Sequence, residues 1–284
     1  MTRPVLVPET LSDCWTMMED HPGAAVYAGG TDLLVRLPSL RPGPPALICL
    51  ERVLELRAVS EQEDAIRIGA GVTHQVLTTH SLVARFAPIL ARAAAAVGGP
   101  AIRHMGTIGG NVVTASPAGD TLPALHVCDG EVEVRSGRES RFVPVRKFIA
   151  GPGRTVLCPG ELVTALVVPK VDRFYIQHFE KVGRRNALAV AVVSLAALIR
   201  SGPDGIVEEA RLAWGSVGPT VIREPAVEAL LVGAPLSPES LERAADAARK
   251  AVRPMDDVRA GAAYRRQVAG NLVLRLWPGA QGRR

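Results

Sequence analysis

The sequence predicts an α+β protein built from three successive units. Strand-like and helix-like segments alternate through residues 1–173, whereas residues 174–278 read as strands first and helices afterwards. Of the 284 residues, 48% are apolar, enough to bury sizeable cores. Two polar, glycine-rich segments, residues 27–34 and 104–120, stand out from the periodic stretches around them.

The first unit covers residues 1–55. Thr10 is placed to cap a helix running through Glu19, with Leu11, Cys14, Trp15 and Met18 inward. His21-Pro-Gly closes it. Residues 24–28 and 46–50 read as short buried strands, and Pro38, Pro42, Pro44 and Pro45 mark a surface connection. The second unit covers residues 56–173. Residues 65–73 have strand character. Residues 86–97 read as a helix with Ile89, Leu90, Ala93, Ala94 and Val97 on one face, ended by Gly98-Gly-Pro100. Residues 131–134 and 161–168 read as strands, and Pro169 ends the second. The third unit, 174–278, opens with three strands, at 175–182, 187–199 and 209–216. Ser237-Pro-Glu then starts a helix with Ser as cap and Pro at the first position, and Leu241, Ala244, Ala248 and Val252 face inward. A last helix carries Tyr264, Val268, Leu272 and Leu276 at four-residue steps. Residues 279–284 read as a frayed tail.

Composition excludes several classes. The net charge of +5 comes from 33 basic residues dispersed among 28 acidic ones, with no basic run suited to nucleic acid. Charge and proline interrupt the N-terminus, so it is no secretory signal. No apolar run reaches the roughly 18 residues of a membrane span. A cytoplasmic location is the expectation. Cys14, Cys49, Cys128 and Cys158 are isolated, without Cys-x-x-Cys pairs or zinc spacing, and suit a reducing compartment. No Gly-x-Gly-x-x-Gly, P-loop, His-Glu-x-x-His or Gly-x-Ser-x-Gly motif occurs.

The two glycine-rich segments remain as candidate chemistry. Glycine permits positive φ and close backbone approach, and successive inward N–H groups form an anion nest. Thr31, Thr107 and Ser116 add hydroxyls. Asp32 and Asp120 repel phosphate but suit sugar hydroxyls or a ring N–H. Together the segments suit a nucleotide with a diphosphate. The same residues also suit ordinary turns and local caps. His104 beside the second segment reads as structural, and Arg184-Arg185 as either a solvated turn or a charge facing phosphate or a partner.

Ala28-Gly-Gly-Thr-Asp-Leu33, Thr107-Ile-Gly-Gly-Asn111 and Ser116-Pro-Ala-Gly-Asp120 resemble the FAD-binding medium subunit of molybdenum hydroxylases, the family of carbon monoxide dehydrogenase, bacterial xanthine dehydrogenase and 4-hydroxybenzoyl-CoA reductase. Residues 68–73, 179–185 and 256–265 extend the likeness along nearly the whole chain. The resemblance implies two FAD-binding subdomains of the vanillyl-alcohol oxidase type and a C-terminal α+β domain with a three-stranded antiparallel sheet. It implies that Ala28, Gly29, Gly30, Thr31 and Asp32, with Thr107, Ile108, Gly109, Gly110 and Asn111, wrap the pyrophosphate. Leu33 would pack near the flavin or its ribityl chain. Thr114, Ser116 and Asp120 would bond ribityl or sugar hydroxyls, Val163 would line the ring pocket, and Lys181 would set a positive charge near the isoalloxazine. No catalytic acid or base and no metal site is implied in this chain. Asn111 runs straight into Val-Val-Thr-Ala-Ser-Pro without the cysteine-bearing insertion of the reductase, which argues against an extra iron–sulfur cluster. The implied partners are a molybdenum-cofactor large subunit and a [2Fe–2S] small subunit, in a dimer of heterotrimers. A free-standing flavin oxidoreductase would need a further substrate domain. An assembly subunit that has lost FAD would not need the intact glycine segments.

Overall fold

The computed structural model describes residues 3–185 and 188–277; the tail expected to fray lies outside them. The first unit is a parallel sheet of β1 (Val5–Leu6), β2 (Ala25–Tyr27) and β3 (Leu47–Cys49), in the order β1-β3-β2. It carries α1 (Leu11–Asp20) and the short α2 (Leu33–Arg36). Thr10 caps α1 in a reciprocal capping box with Asp13, as the sequence predicts.

The second unit begins with β4 (Val59–Glu61) and β5 (Ala65–Gly69). Six short helices follow: α3 (His74–Thr79), α4 (Ser81–Phe86), α5 (Pro88–Ala95), α6 (Pro100–Met105), α7 (Ile108–Thr114) and α8 (Thr121–Val127). It closes with β6 (Glu131–Arg135), β7 (Ser140–Pro144), α9 (Val145–Phe148), the β8 (Ile149–Gly151) and β9 (Arg154–Thr155) hairpin, and β10 (Leu162–Pro169). The main sheet is antiparallel, ordered β4-β5-β10-β6-β7. The helix expected over 86–97 is shorter, because Pro88 opens α5 at its N-terminus and a separate α4 ends at Phe86.

The third unit comprises β11 (Ile176–Val182), β12 (Val193–Ser201), β13 (Val207–Gly215), β14 (Ile222–Arg223), α10 (Pro225–Ala229), α11 (Pro238–Ala251) and α12 (Ala262–Leu274). Its antiparallel sheet has four strands, in chain order, rather than the three expected. β14 is only two residues long and pairs with β13 through Ala213 and Trp214, so it has no run of alternating residues to betray it. Ser237 caps α11, and Leu241, Ala244, Ala248 and Val252 are buried as expected. In α12 the expected face shifts: Val268 and Leu272 are buried, Leu276 is buried beyond the helix end, and Tyr264 is exposed. Arg265 is buried in its place. It donates to the carbonyls of Val192 and Ser216 and to Asp257, which satisfies the guanidinium inside the fold.

The central strands explain how the units join. Ala196 and Leu198 of β12, with Ala213 of β13, belong to the core shared with β5, β10, α5 and α8. Leu195, Ala197, Ile199, Leu212 and Trp214 face the opposite core, against α11 and α12. A strand buried on both faces reads as a near-continuous apolar run, as Leu195 to Ile199 of β12 do. Trp214 is fully buried and donates its indole N–H to Ala269 O at 3.1 Å. Trp214→Ala is expected to cost about 3–5 kcal/mol of unfolding free energy, measured as a lower urea midpoint.

Candidate functional site

The two glycine-rich segments meet. A Cβ built on Gly29 would stand 1.7 Å from Met105 O, so the β2–α2 turn rests directly on the backbone leaving α6. Gly30 adopts φ +69°, in the left-handed region. The second segment is held from below by residues 70–74. Gly109 N donates to Ala70 O (3.0 Å), Ile108 N to Val72 O (3.0 Å), and His74 N to Gly106 O (3.0 Å).

The second segment is not a loop, as its composition suggests. Thr107 caps α7 by accepting from Gly110 N at 3.1 Å, and residues 108–114 turn helical. The paired glycines serve different ends. A Cβ on Gly109 would lie 2.5 Å from that of Ala70, so this glycine lets α7 press on the sheet. One on Gly110 would meet only Thr107 Oγ1, at 3.0 Å, and otherwise face the open cleft.

Between the segments is a cleft of about 420 Å³. Ala28, Gly29, Gly30, Thr31, Asp32 and Leu33 line one side; Thr107, Gly110, Asn111, Thr114, Ser116 and Asp120 line the other. Ile108 is buried beneath it and Gly109 packs against Ala70, so neither reaches the surface of the cleft. Val163 is also outside the lining. It sits in β10, paired with Val134 and buried in the core, because the pocket opens above the helices rather than over that strand. Asp32 accepts from Arg36 (2.6 Å) and Thr114 Oγ1 (3.4 Å), which ties the two cradles together. Asn111 Oδ1 accepts from Thr121 Oγ1 at 2.6 Å, fixing the amide with its NH₂ as the remaining donor.

Lys181 is no lone cation. Its Nζ lies 2.7 Å from Asp120 Oδ2 and also donates to Ala96 O. This buried pair forms a wall between the cleft and a wider groove, about 1470 Å³, along β11. The positive charge expected of Lys181 is therefore one half of an ion pair. Asp120 Oδ1 is buried without a hydrogen-bond partner. Burial pushes the Asp120 carboxyl up to about 6, against the opposing pull of Lys181. A neighbouring hydroxyl or ring N–H would satisfy that oxygen.

Sequence reasoning missed His74 and residues 188–190 and gave Tyr27 of the first segment no role; all of them line the cleft. The strand expected from 187 begins only at Val193. Leu188, at φ +54°, instead packs over Gly99. His104 is exposed and bonds Pro100 O at 2.9 Å, in keeping with a structural role. Arg184 donates to Val258 O and Arg185 to Leu188 O. Among the described residues no cluster of three His, Cys, Asp or Glu suits a metal, and no helix is long and apolar enough to cross a membrane.

Fold and cleft define a nucleotide-binding protein whose cleft is built on closely packed main chain. Residues 1–171 match the FAD binding domain in molybdopterin dehydrogenase, and residues 177–280 the CO dehydrogenase flavoprotein C-terminal domain. The xanthine dehydrogenase FAD-binding subunit of Escherichia coli O157:H7 is 32% identical over 259 residues, covering 90% of this chain and 88% of that one. The nicotinate dehydrogenase FAD-subunit of Eubacterium barkeri is 28% identical, over 95% and 93%. Carbon monoxide dehydrogenase from Hydrogenophaga pseudoflava superposes with a TM-score of 0.91 at 28% identity, covering 97% of this chain and 96% of that one. The chain belongs to the FAD-binding family of the molybdopterin dehydrogenases, and FAD is its cofactor.

The cleft fits that cofactor: a glycine cradle whose open face a side chain would fill, and an orphaned carboxylate oxygen that needs a donor. Without a donor at Oδ1, Asp120 stays protonated below about pH 6. A donor favours the carboxylate and expels the proton, so FAD affinity is expected to rise between about pH 5 and about pH 7. Fluorescence titration at both pH values checks this. Asp120→Asn should flatten the rise, and an undiminished rise in that variant would assign it to another group.

Proposed function

We propose that this chain is the flavin-bearing electron-transfer subunit of a molybdenum hydroxylase. In this reading the organic substrate is oxidised at a molybdenum centre on a large chain. Electrons pass through [2Fe–2S] clusters on a small chain to the FAD held here, and leave for an external acceptor. Bound FAD supplies the chemistry, taking up and releasing electrons; the protein supplies binding, orientation and electrostatics. The three units (1–55, 56–173 and 174–278) act as two FAD-binding subdomains of the vanillyl-alcohol oxidase type and a C-terminal domain. The complex is a cytoplasmic dimer of heterotrimers.

The observation that carries this reading is the backbone contact of Gly29 with Met105 O, which brings both cradles to one cleft. Ala28 to Asp32, with Thr107, Gly110 and Asn111, would hold the diphosphate. Thr114, Ser116 and Asp120 would take ribityl or sugar hydroxyls, with Leu33 and the Asp120–Lys181 pair nearer the ring. The groove along β11 shares Gly98, Leu188 and Ala189 with the cleft, which gives a partner or acceptor an approach to the flavin. The relatives named as FAD subunits or medium chains of dehydrogenases support the assembly.

Gly110→Val is the direct test. Its side chain would enter the space left for phosphate, and FAD affinity should fall at least about 100-fold while the thermal transition of the flavin-free chain persists. Full flavin absorbance in the purified variant would refute the placement. Co-expression with a molybdenum-cofactor large chain and a [2Fe–2S] small chain should yield one complex containing all three.

A further inference from the structure

His74 is the first residue of α3 and comes from neither glycine segment. It is only 2% exposed, yet its ring lines the cleft. Its position follows from the backbone: Thr73 caps α3, Thr73 pairs with Thr107, and His74 N donates to Gly106 O. The ring therefore lies where the two cradles touch. A Cβ on Gly106 would stand 3.2 Å from Thr31 Oγ1 and 3.3 Å from His74 Cδ2. Gly106 is thus flanked by the hydroxyl of the first cradle and by this imidazole.

His74 Nδ1 is sealed from solvent without a hydrogen-bond partner. Burial holds the ring neutral, pushing it down to about 4, and the nearby charge of Arg103 adds to the effect. A neutral imidazole has one N–H. A bare nitrogen lone pair is tolerated inside protein more readily than an orphaned N–H, which assigns the proton to Nε2. That tautomer offers a hydrogen-bond donor without introducing a charge that burial would penalise.

We propose that His74 is a diphosphate-selective ligand of the cleft, donating from Nε2 to a phosphate oxygen held between the two glycine cradles. The inference rests on the FAD placement proposed above and adds a specificity: His74 distinguishes a flavin carrying a diphosphate from one that lacks it. A hydrogen bond to a charged group supplies that discrimination, and riboflavin, with no phosphate, cannot use it.

The test compares FAD and riboflavin binding to the full chain, stripped of flavin, by fluorescence titration. His74→Leu is expected to lower FAD affinity at least about tenfold and to leave riboflavin affinity within about twofold; His74→Gln, which restores an N–H donor, should recover part of the loss. Equal losses for both ligands, or none, would overturn the proposal. Retention of FAD by the Gly110→Val variant would instead sink the placement on which it depends. If the Leu variant does not fold, nitrogen NMR of the native chain decides. The His74 ring signals should move with FAD and with ADP but not with riboflavin, and unmoved signals would reject the assignment.

Discussion

The carbonyl of Met105 lies where a side chain on residue 29 would begin. That contact between two main chains is the constraint around which the site is arranged. It sets the β2–α2 turn against the segment leaving α6 at a distance only glycine allows. The same segment is fixed from the other side by the ladder from Ala70 to His74. The floor of the cleft is therefore backbone, held by hydrogen bonds that do not depend on side-chain rotamers. The N–H groups of residues 108–111 already donate within the chain, so this floor sets the shape of the cleft and leaves the side chains of Thr107, Asn111 and Thr114 to line it.

Helix α8 carries the consequence across the molecule. Thr121 to Val127 are all buried, and both ends of the helix are tied to the third unit. At its start Asp120 pairs with Lys181 of β11. At its end Arg211 of β13 reaches Val127 O and Asp129, and Arg223 of β14 reaches His126 O and the same carboxylate. A buried pair such as Asp120–Lys181 is a poor source of net stability, because both charges lose water. Here it fixes the spacing between the wall of the cleft and the first strand of the C-terminal sheet. One carboxylate oxygen is spent on that spacing and the other is buried without a partner.

Much of this was legible locally. Thr10 and Ser237 announced their helices because a cap needs only the few residues that follow it. The run from Leu195 to Ile199 announced a strand because burial on both faces demands apolar residues at successive positions. The polar residues of both glycine segments were recognised as lining a cleft, from their composition and family likeness. Other features were hidden. Two glycines disfavour a helix, yet residues 108–114 form one, since Thr107 caps it and Gly109 fits against Ala70. Leu188 sits in an apolar run but turns left-handed to cover Gly99. Arg265 replaces Tyr264 in the interior because two carbonyls from distant parts of the chain, and the nearby carboxylate of Asp257, await it.

By itself the sequence determined the kind of backbone available at each place: where chain could cap, extend, or approach another chain closely. Those preferences act over a few residues and are written in them. Only the tertiary structure decided which distant groups meet. It put His74 beneath Gly106, joined Lys181 to Asp120, and withdrew Val163 into the sheet. Such meetings depend on how whole elements pack, and packing couples positions that have no shared local signature.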